Sequence, residues 1–295
     1  MTDSFNTIVN SALTVTIKRH GAELCGLKGG DGTEYLWQAD PKVWGRHAPL
    51  LFPIVGKLAH GQYLFEGARY EMKPHGFARD LDFALVEATE TVLSYRLQAS
   101  PETRKQYPFD FTLMRHYRLA GGMLEVTNEV TNTGSSVMPF SIGEHPAFAL
   151  NWGAGDRVED YALKFEKAER LDARFLDSDG LLSGQTERIL SNHNVLPLRG
   201  NLFDRDALIF LKIRSQNVSL CSRRHSRRVT VEFAGYPYLG IWAKPGAAFV
   251  CIEPWYGHAD PAGHNGDIMN KPGIIKLEAG TSFSCSWRVS VIAKG

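Results

Sequence analysis

Neither charge sign is in excess in the sequence: 33 lysines and arginines face 32 aspartates and glutamates, a net charge of +1 over 295 residues. A nucleic-acid partner needs a basic footprint and an acidic disordered tail needs the opposite bias, so neither is expected. Long apolar runs are missing too. Stretches such as Ala247 to Ile252 fall far short of the roughly 20 residues of a spanning helix. The N-terminus, Met-Thr-Asp-Ser-Phe-Asn, has no basic segment ahead of an apolar one, so no secretion signal or membrane partner is expected. Cysteine is sparse. Cys25, Cys221, Cys251 and Cys285 are widely spaced with no C-x-x-C pair, which argues against zinc-knuckle and dithiol redox motifs and for reduced thiols in a cytoplasmic protein. No Pro/Gly/Ser-rich break, low-complexity segment or repeat of about 20 to 50 residues divides the chain. One domain over residues 1–295 is therefore expected, its core drawn from the 43% of residues that are apolar.

What the sequence has in quantity is period-two alternation. Leu13 to Lys18, Leu93 to Leu97, Leu124 to Val130 and Val229 to Phe233 each place apolar and polar side chains on opposite faces. The longest such stretch puts Phe283, Cys285, Trp287, Val289 and Val291 on one side. This is the signature of half-buried antiparallel strands. Turn residues separate them at Gly29-Gly30-Asp31-Gly32, Gly121-Gly122, Asn132-Thr133-Gly134 and Glu278-Ala279-Gly280, too closely for helical crossovers. Only Pro101 to Gln106 and Lys164 to Arg174 read as possible short helices. The fold class is all-β, a single large antiparallel sandwich. The dense positive patch Arg223 to Arg228 reads as a solvated hairpin tip, with attraction of a phosphorylated ligand as the alternative.

Three segments break the alternation by mixing Gly, Pro, aromatic and ionisable residues, as loops that carry function do. They are Pro74 to Asp80, Gly143 to Phe148, and Ile252 to Asp260. A single His beside Pro is ordinarily a hydrogen-bonded structural residue, and a Glu before Pro a solvated strand end. Together, a His and a carboxylate among aromatics can serve as general acid and base. Trp242, Trp255, Tyr236, Tyr238 and Tyr256 offer flat rings, suited to core filling or to the apolar face of a sugar. A rival grouping of His258, Asp260, His264 and Asp267 matches no reliable metal-ligand spacing, so no metal is expected.

The ordered motifs Gly-Ala-Glu-Leu at 21–24, Glu34-Tyr35-Leu36-Trp37, Pro49 to Gly56, His75-Gly76-Phe77-Ala78-Arg79-Asp80, Gly143 to Phe148 and Glu253-Pro254-Trp255-Tyr256-Gly257 resemble the aldose 1-epimerase (galactose mutarotase) superfamily. The branch most resembled is the bacterial LacX-like one, and the likeness runs from about residue 12 to 290. The resemblance implies a β-supersandwich that interconverts the α and β anomers of a hexose without a cofactor. By motif it assigns His145 as general acid on the ring oxygen and Glu253 as general base on the anomeric hydroxyl. It places His75, Lys57 and Asp206 on the sugar, with Asp204 a rival to Asp206. Lys57 stands where the galactose enzymes carry an arginine, and a lysine offers a point charge rather than a planar fork. Arg79 reads as the partner of Asp80 or another carboxylate, with ligand phosphate as the alternative. Glu144 either orients His145 or faces away.

An acid on the ring oxygen requires His145 to be partly protonated, and Glu253 is a nearby charge able to raise its pKa. The expected protein is a monomer or homodimer acting on a small-molecule sugar. A hexose 6-phosphate mutarotase and a non-catalytic sugar-binding protein are the alternatives. A hydrolase needs two carboxylates flanking one bond, and only one good candidate is present.

Overall fold

The computed structural model describes residues 4–292, so the first three residues of the N-terminal stretch read above lie outside it. Its dominant element is one large antiparallel sheet. From one edge the order runs Ala84–Ala88, Val92–Gln98, Phe111–Ala120, Met123–Asn132, Ser282–Ile292, Arg228–Glu232, Asn217–Ser222, Tyr161–Leu176, Leu208–Phe210, Tyr238–Trp242, Phe249–Tyr256, Ile142–Glu144 and Leu50–Leu51. The strand latest in the chain thus pairs between Met123–Asn132 on one side and Arg228–Glu232 on the other.

The alternation anticipated from sequence sets the faces. In Phe111–Ala120 and Met123–Asn132 every second residue is buried, and the two strands meet at Gly121-Gly122, where Gly121 adopts φ +55°. Leu113, Tyr117, Leu124, Val126 and Val130 all join one hydrophobic cluster that reaches from Ile8 to Val289. Burial at about 25 cal/mol per Å² of apolar surface makes this register far more favourable than a one-residue slip, which would turn each apolar set outward.

Of the two short helices expected, Pro101–Gln106 forms, capped by Ser100 and Thr103. Lys164 to Arg174 does not: it lies within the 16-residue strand Tyr161–Leu176. The apolar residues Leu163, Phe165, Leu171, Ala173 and Phe175 keep period two and are buried. Glu169 keeps that inward phase as a polar residue, its carboxylate accepting from the Arg214 and Ser215 backbone N–H groups and the Ser215 hydroxyl, whereas Lys167, at the same phase, is exposed. A buried acid in a strand imitates the charged face of a helix.

The basic patch is the loop between Asn217–Ser222 and Arg228–Glu232. Its charge is locally compensated. Arg223 pairs with Asp160, Arg224 and His225 with Asp156, and Arg227 with Asp31.

Candidate active site

A cleft of about 310 Å³ opens where the short strands at the Leu50–Leu51 edge of the sheet meet the loops around residues 44–46, 74–79 and 206, a volume at the small-ligand end of binding sites, about 300–1,000 Å³. His145, Glu253, His75, Lys57, Asp206, Arg79 and Trp242 all line it. Asp204 does not line it, nor does any residue of the 223–228 loop.

Glu253 sits inside the strand Phe249–Tyr256, buried on both faces, rather than at a solvated strand end. Side chains two apart share a strand face, so Glu253 and Trp255 both turn to the cleft. Room for the Trp255 indole comes from glycines on the neighbouring strands: a Cβ on Gly240 would lie 2.4 Å from the ring, and one on Gly143 2.6 Å. His145 occupies the bend between Ile142–Glu144 and Ala147–Ala149. Its Nε2 stands 3.2 Å from Glu253 Oε2, and its ring stacks on Trp44 with centroids 5.1 Å apart and meets Trp242 edge-on at 5.7 Å.

His75 adopts φ +66°, a costly conformation for a side chain with a Cβ. The backbone around it over-determines the position. Its N–H donates to the Gly56 carbonyl at 2.8 Å, and its Nδ1 accepts from the Gly56 N–H at 3.2 Å. Gly56 itself has φ +75°, and a Cβ there would strike Ala259. Because Nδ1 is an acceptor, the neutral ring carries its proton on Nε2. Burial, with His145, Arg79 and Arg46 nearby, holds His75 well below the ordinary imidazole value.

The same environment reverses the protonation anticipated for the His–Glu pair. Burial, reinforced by Arg79 and Arg46, pulls His145 down to about 3, and burial, with the Asp206 charge adding, pushes Glu253 well above the ordinary carboxylate value. Desolvation, the largest cause for each group, disfavours both charged forms. Burial in this cleft thus favours the neutral form of each group, imidazole for His145 and carboxylic acid for Glu253.

Other expectations are redrawn by the side chains. Arg79 does not pair with Asp80, whose carboxylate is taken by Arg46 at 2.8 Å. Arg79 donates instead to the Pro74 carbonyl at 2.6 Å and has no carboxylate within salt-bridge distance among the described residues. Glu144 faces away from His145 into the core. There it accepts two bonds from Arg115, each 2.8 Å, and a third from Asn128 at 2.6 Å. In the rival metal grouping His264 meets Asp260 at 3.4 Å, but its other donors are committed elsewhere. Asp260 is bound by Lys271 at 2.7 Å and by the Ala59 N–H, His258 turns to the Ala259 carbonyl, and Asp267 caps the turn at Ile268–Asn270.

Sequence reasoning missed Trp44 and Arg46. Their segment, Pro41 to His47, has the same mixture of Pro, Gly, ring and charge that marked the other three, and it is pinned by bonds from Trp37 Nε1 to the Trp44 carbonyl and from Lys244 to the Val43 carbonyl.

The chain is similar to proteins of one known family. The family model for aldose 1-epimerase matches residues 5–274. The plasmid-encoded protein LacX of Lactococcus lactis is 32% identical over 277 residues, covering 91% of this chain and 93% of that protein. A protein of Escherichia coli named putative glucose-6-phosphate 1-epimerase is 33% identical over 153 residues, 48% of this chain and 49% of its own. Among solved structures, the galactose mutarotase related enzyme of Lactobacillus acidophilus superposes with a TM-score of 0.94 at 34% identity, covering 99% of this chain and 98% of that one.

Proposed function

The chain belongs to the aldose 1-epimerase family, and from that premise we propose that it interconverts the α and β anomers of a hexose, with His145 and Glu253 as its acid–base pair. The observation that carries this reading is their 3.2 Å contact in an aromatic-walled cleft of hexose size. Ring opening takes the proton from the C1 hydroxyl, forms the C1 carbonyl, breaks the bond from C1 to the ring oxygen and places a proton on that oxygen. Rotation about C1–C2 and the reverse transfers close the ring on its other face. The pair begins and ends with one proton. A sugar hydroxyl donating to Glu253 favours its carboxylate, and the shared proton then crosses to His145. The carboxylate accepts from the C1 hydroxyl while the imidazolium donates to the ring oxygen. His75 offers its Nε2–H to a hydroxyl or the ring oxygen, Lys57 and Asp206 hold hydroxyls, and Trp242 supports an apolar sugar face.

The test follows the approach of freshly dissolved α-D-glucose and α-D-galactose to anomeric equilibrium by NMR. Acceleration is expected, with a loss of roughly 10²- to 10⁴-fold in His145→Ala and in Glu253→Ala. Saturable sugar binding with no acceleration would instead establish a non-catalytic sugar-binding protein.

A second reading, a hexose 6-phosphate as substrate, is favoured by one observation: Arg79 lines the cleft without a carboxylate partner among the described residues. Its planar fork suits a phosphate. On this reading glucose 6-phosphate outcompetes glucose, Arg79→Ala removes the preference, and salt weakens it. Equal rates for both sugars in the two proteins would dismiss it.

A further inference from the structure

One buried group beside the His–Glu pair has no part in the proton transfers. Cys251 precedes Glu253 by two residues on the same strand and shares its face. Its Sγ, a ring nitrogen of His145 and a carboxylate oxygen of Glu253 all lie within 4.8 Å of one another. His145 and Glu253 line the cleft and Cys251 does not, so the triangle reaches from the cleft surface into the sheet. We propose that these three side chains form a binding site for a thiophilic divalent transition-metal ion such as Zn²⁺, and that an ion held there blocks the cleft.

The donor set is the first argument. Nitrogen, sulfur and carboxylate oxygen are the ligands Zn²⁺ takes, at bond lengths that put tetrahedral donors about 3.3–3.8 Å apart. His145 Nε2 and Glu253 Oε2 already stand 3.2 Å apart. The thiol sulfur selects against Mg²⁺ and Ca²⁺, which prefer all-oxygen shells.

Rigidity is the second. Cys251 is paired to Ala147 and Glu253 to Gly240, so sheet register sets two of the donors, and the bend that carries His145 is bracketed by the paired strands Ile142–Glu144 and Ala147–Ala149. Charge balance is the third. The ion takes Cys251 as thiolate and Glu253 as carboxylate, and whatever protons those donors carry leave to solvent. Thiolate and carboxylate then offset the two charges of the ion, with no change of oxidation state. A fourth position remains toward the cleft for water.

A second trio, Glu23, Cys25 and the half-buried His47, is equally compact, but its carboxylate is already committed. Lys18 lies 2.8 Å from one oxygen, and the His47 and Ala48 N–H groups donate to the other. No such cation is paired with Glu253 among the described residues. Inhibition by the ion rests on the proposed roles of His145 and Glu253. Binding of the ion does not.

The test titrates the full chain with Co²⁺ in anaerobic, thiol-free buffer. A near-ultraviolet thiolate-to-cobalt band saturating at one ion per chain is expected, lost in Cys251→Ser and retained in Cys25→Ser. Cys251→Ala gives the same reading without placing a hydroxyl in the sheet. In the anomer-exchange assay, Zn²⁺ should inhibit and EDTA restore, with Cys251→Ser requiring at least about tenfold more Zn²⁺. No thiolate band in excess cobalt overturns the site, as does a band that survives Cys251→Ser and disappears in Cys25→Ser. A Cys251-dependent band in a protein that accelerates no sugar leaves the metal site standing and removes the proposed function.

Discussion

At the scale of single residues, the proposed mechanism turns on one proton carried by the His145–Glu253 pair. Because the two groups are coupled, their titrations belong to the pair. The proposed mechanism requires one proton on it, so on that mechanism the rate falls when a second is added or the first is lost. His145 is held down and Glu253 up. The acid limb of kcat/KM should therefore lie well below the ordinary imidazole value of 6.5 and the basic limb well above the carboxylate value of 4.5. A pH–rate profile that falls through about 6.5 on acidification would contradict this, since it would report an ordinary imidazole. A steric prediction belongs at the same scale. Gly240→Ala places a methyl group 2.4 Å from the Trp255 indole, and the ring must shift beside Glu253. A displacement of that order should lower kcat/KM roughly ten- to hundredfold and, as overpacking, cost about 1–3 kcal/mol of stability, which kinetics and thermal melting would measure separately. The sequence offered His145, Glu253 and His75 as motif residues, but not their protonation, because desolvation depends on what encloses a group rather than on its chain neighbours.

Among elements, the short strand Ile142–Glu144 joins core to cleft, since Glu144 is anchored on one side and His145 begins the bend on the other. Its anchor is a buried polar network. Arg115 and Asn128 replace apolar residues at inward positions of two adjacent strands, and Arg115 also donates to the Tyr117 hydroxyl at 2.5 Å. Glu144→Gln keeps the shape but leaves the Arg115 guanidinium buried without its counter-charge. Removing one partner of such a pair costs about 3–5 kcal/mol, a loss that urea unfolding followed by tryptophan fluorescence would measure. The strands were legible wherever alternation was unbroken, as in Leu124 to Val130. They were obscured where an inward polar residue was satisfied by a distant segment, as Glu169 is by Ser215, since the partner lies 46 residues away.

For the whole molecule, enclosed and half-buried imidazoles dominate the response to acid. His75, His145, His258 and His47 all titrate below the ordinary value, burial being the largest cause in each. A depressed folded-state pKa contributes stability that is complete above the unfolded value and is lost as pH falls from 6.5 toward the folded value. The raised carboxyls Glu253 and Glu34 oppose this, but they are fewer. The melting temperature should fall by several degrees between about pH 7 and pH 5, and a flat profile would show that the imidazoles are already accessible to solvent. The overall β architecture was readable from alternation and turn spacing, whereas the sheet order was not, because nothing local states that Ser282–Ile292 inserts between Met123–Asn132 and Arg228–Glu232. That insertion has a consequence during synthesis. Strands near the start of the chain and those that carry Glu253 emerge from the ribosome before the strand that connects their two groups. Until it arrives, each group exposes an open edge, which is the vulnerable state for intermolecular strand pairing. Nascent chains stalled before residue 282 should accordingly engage chaperones or aggregate, and native protease resistance should be gained in one step on release.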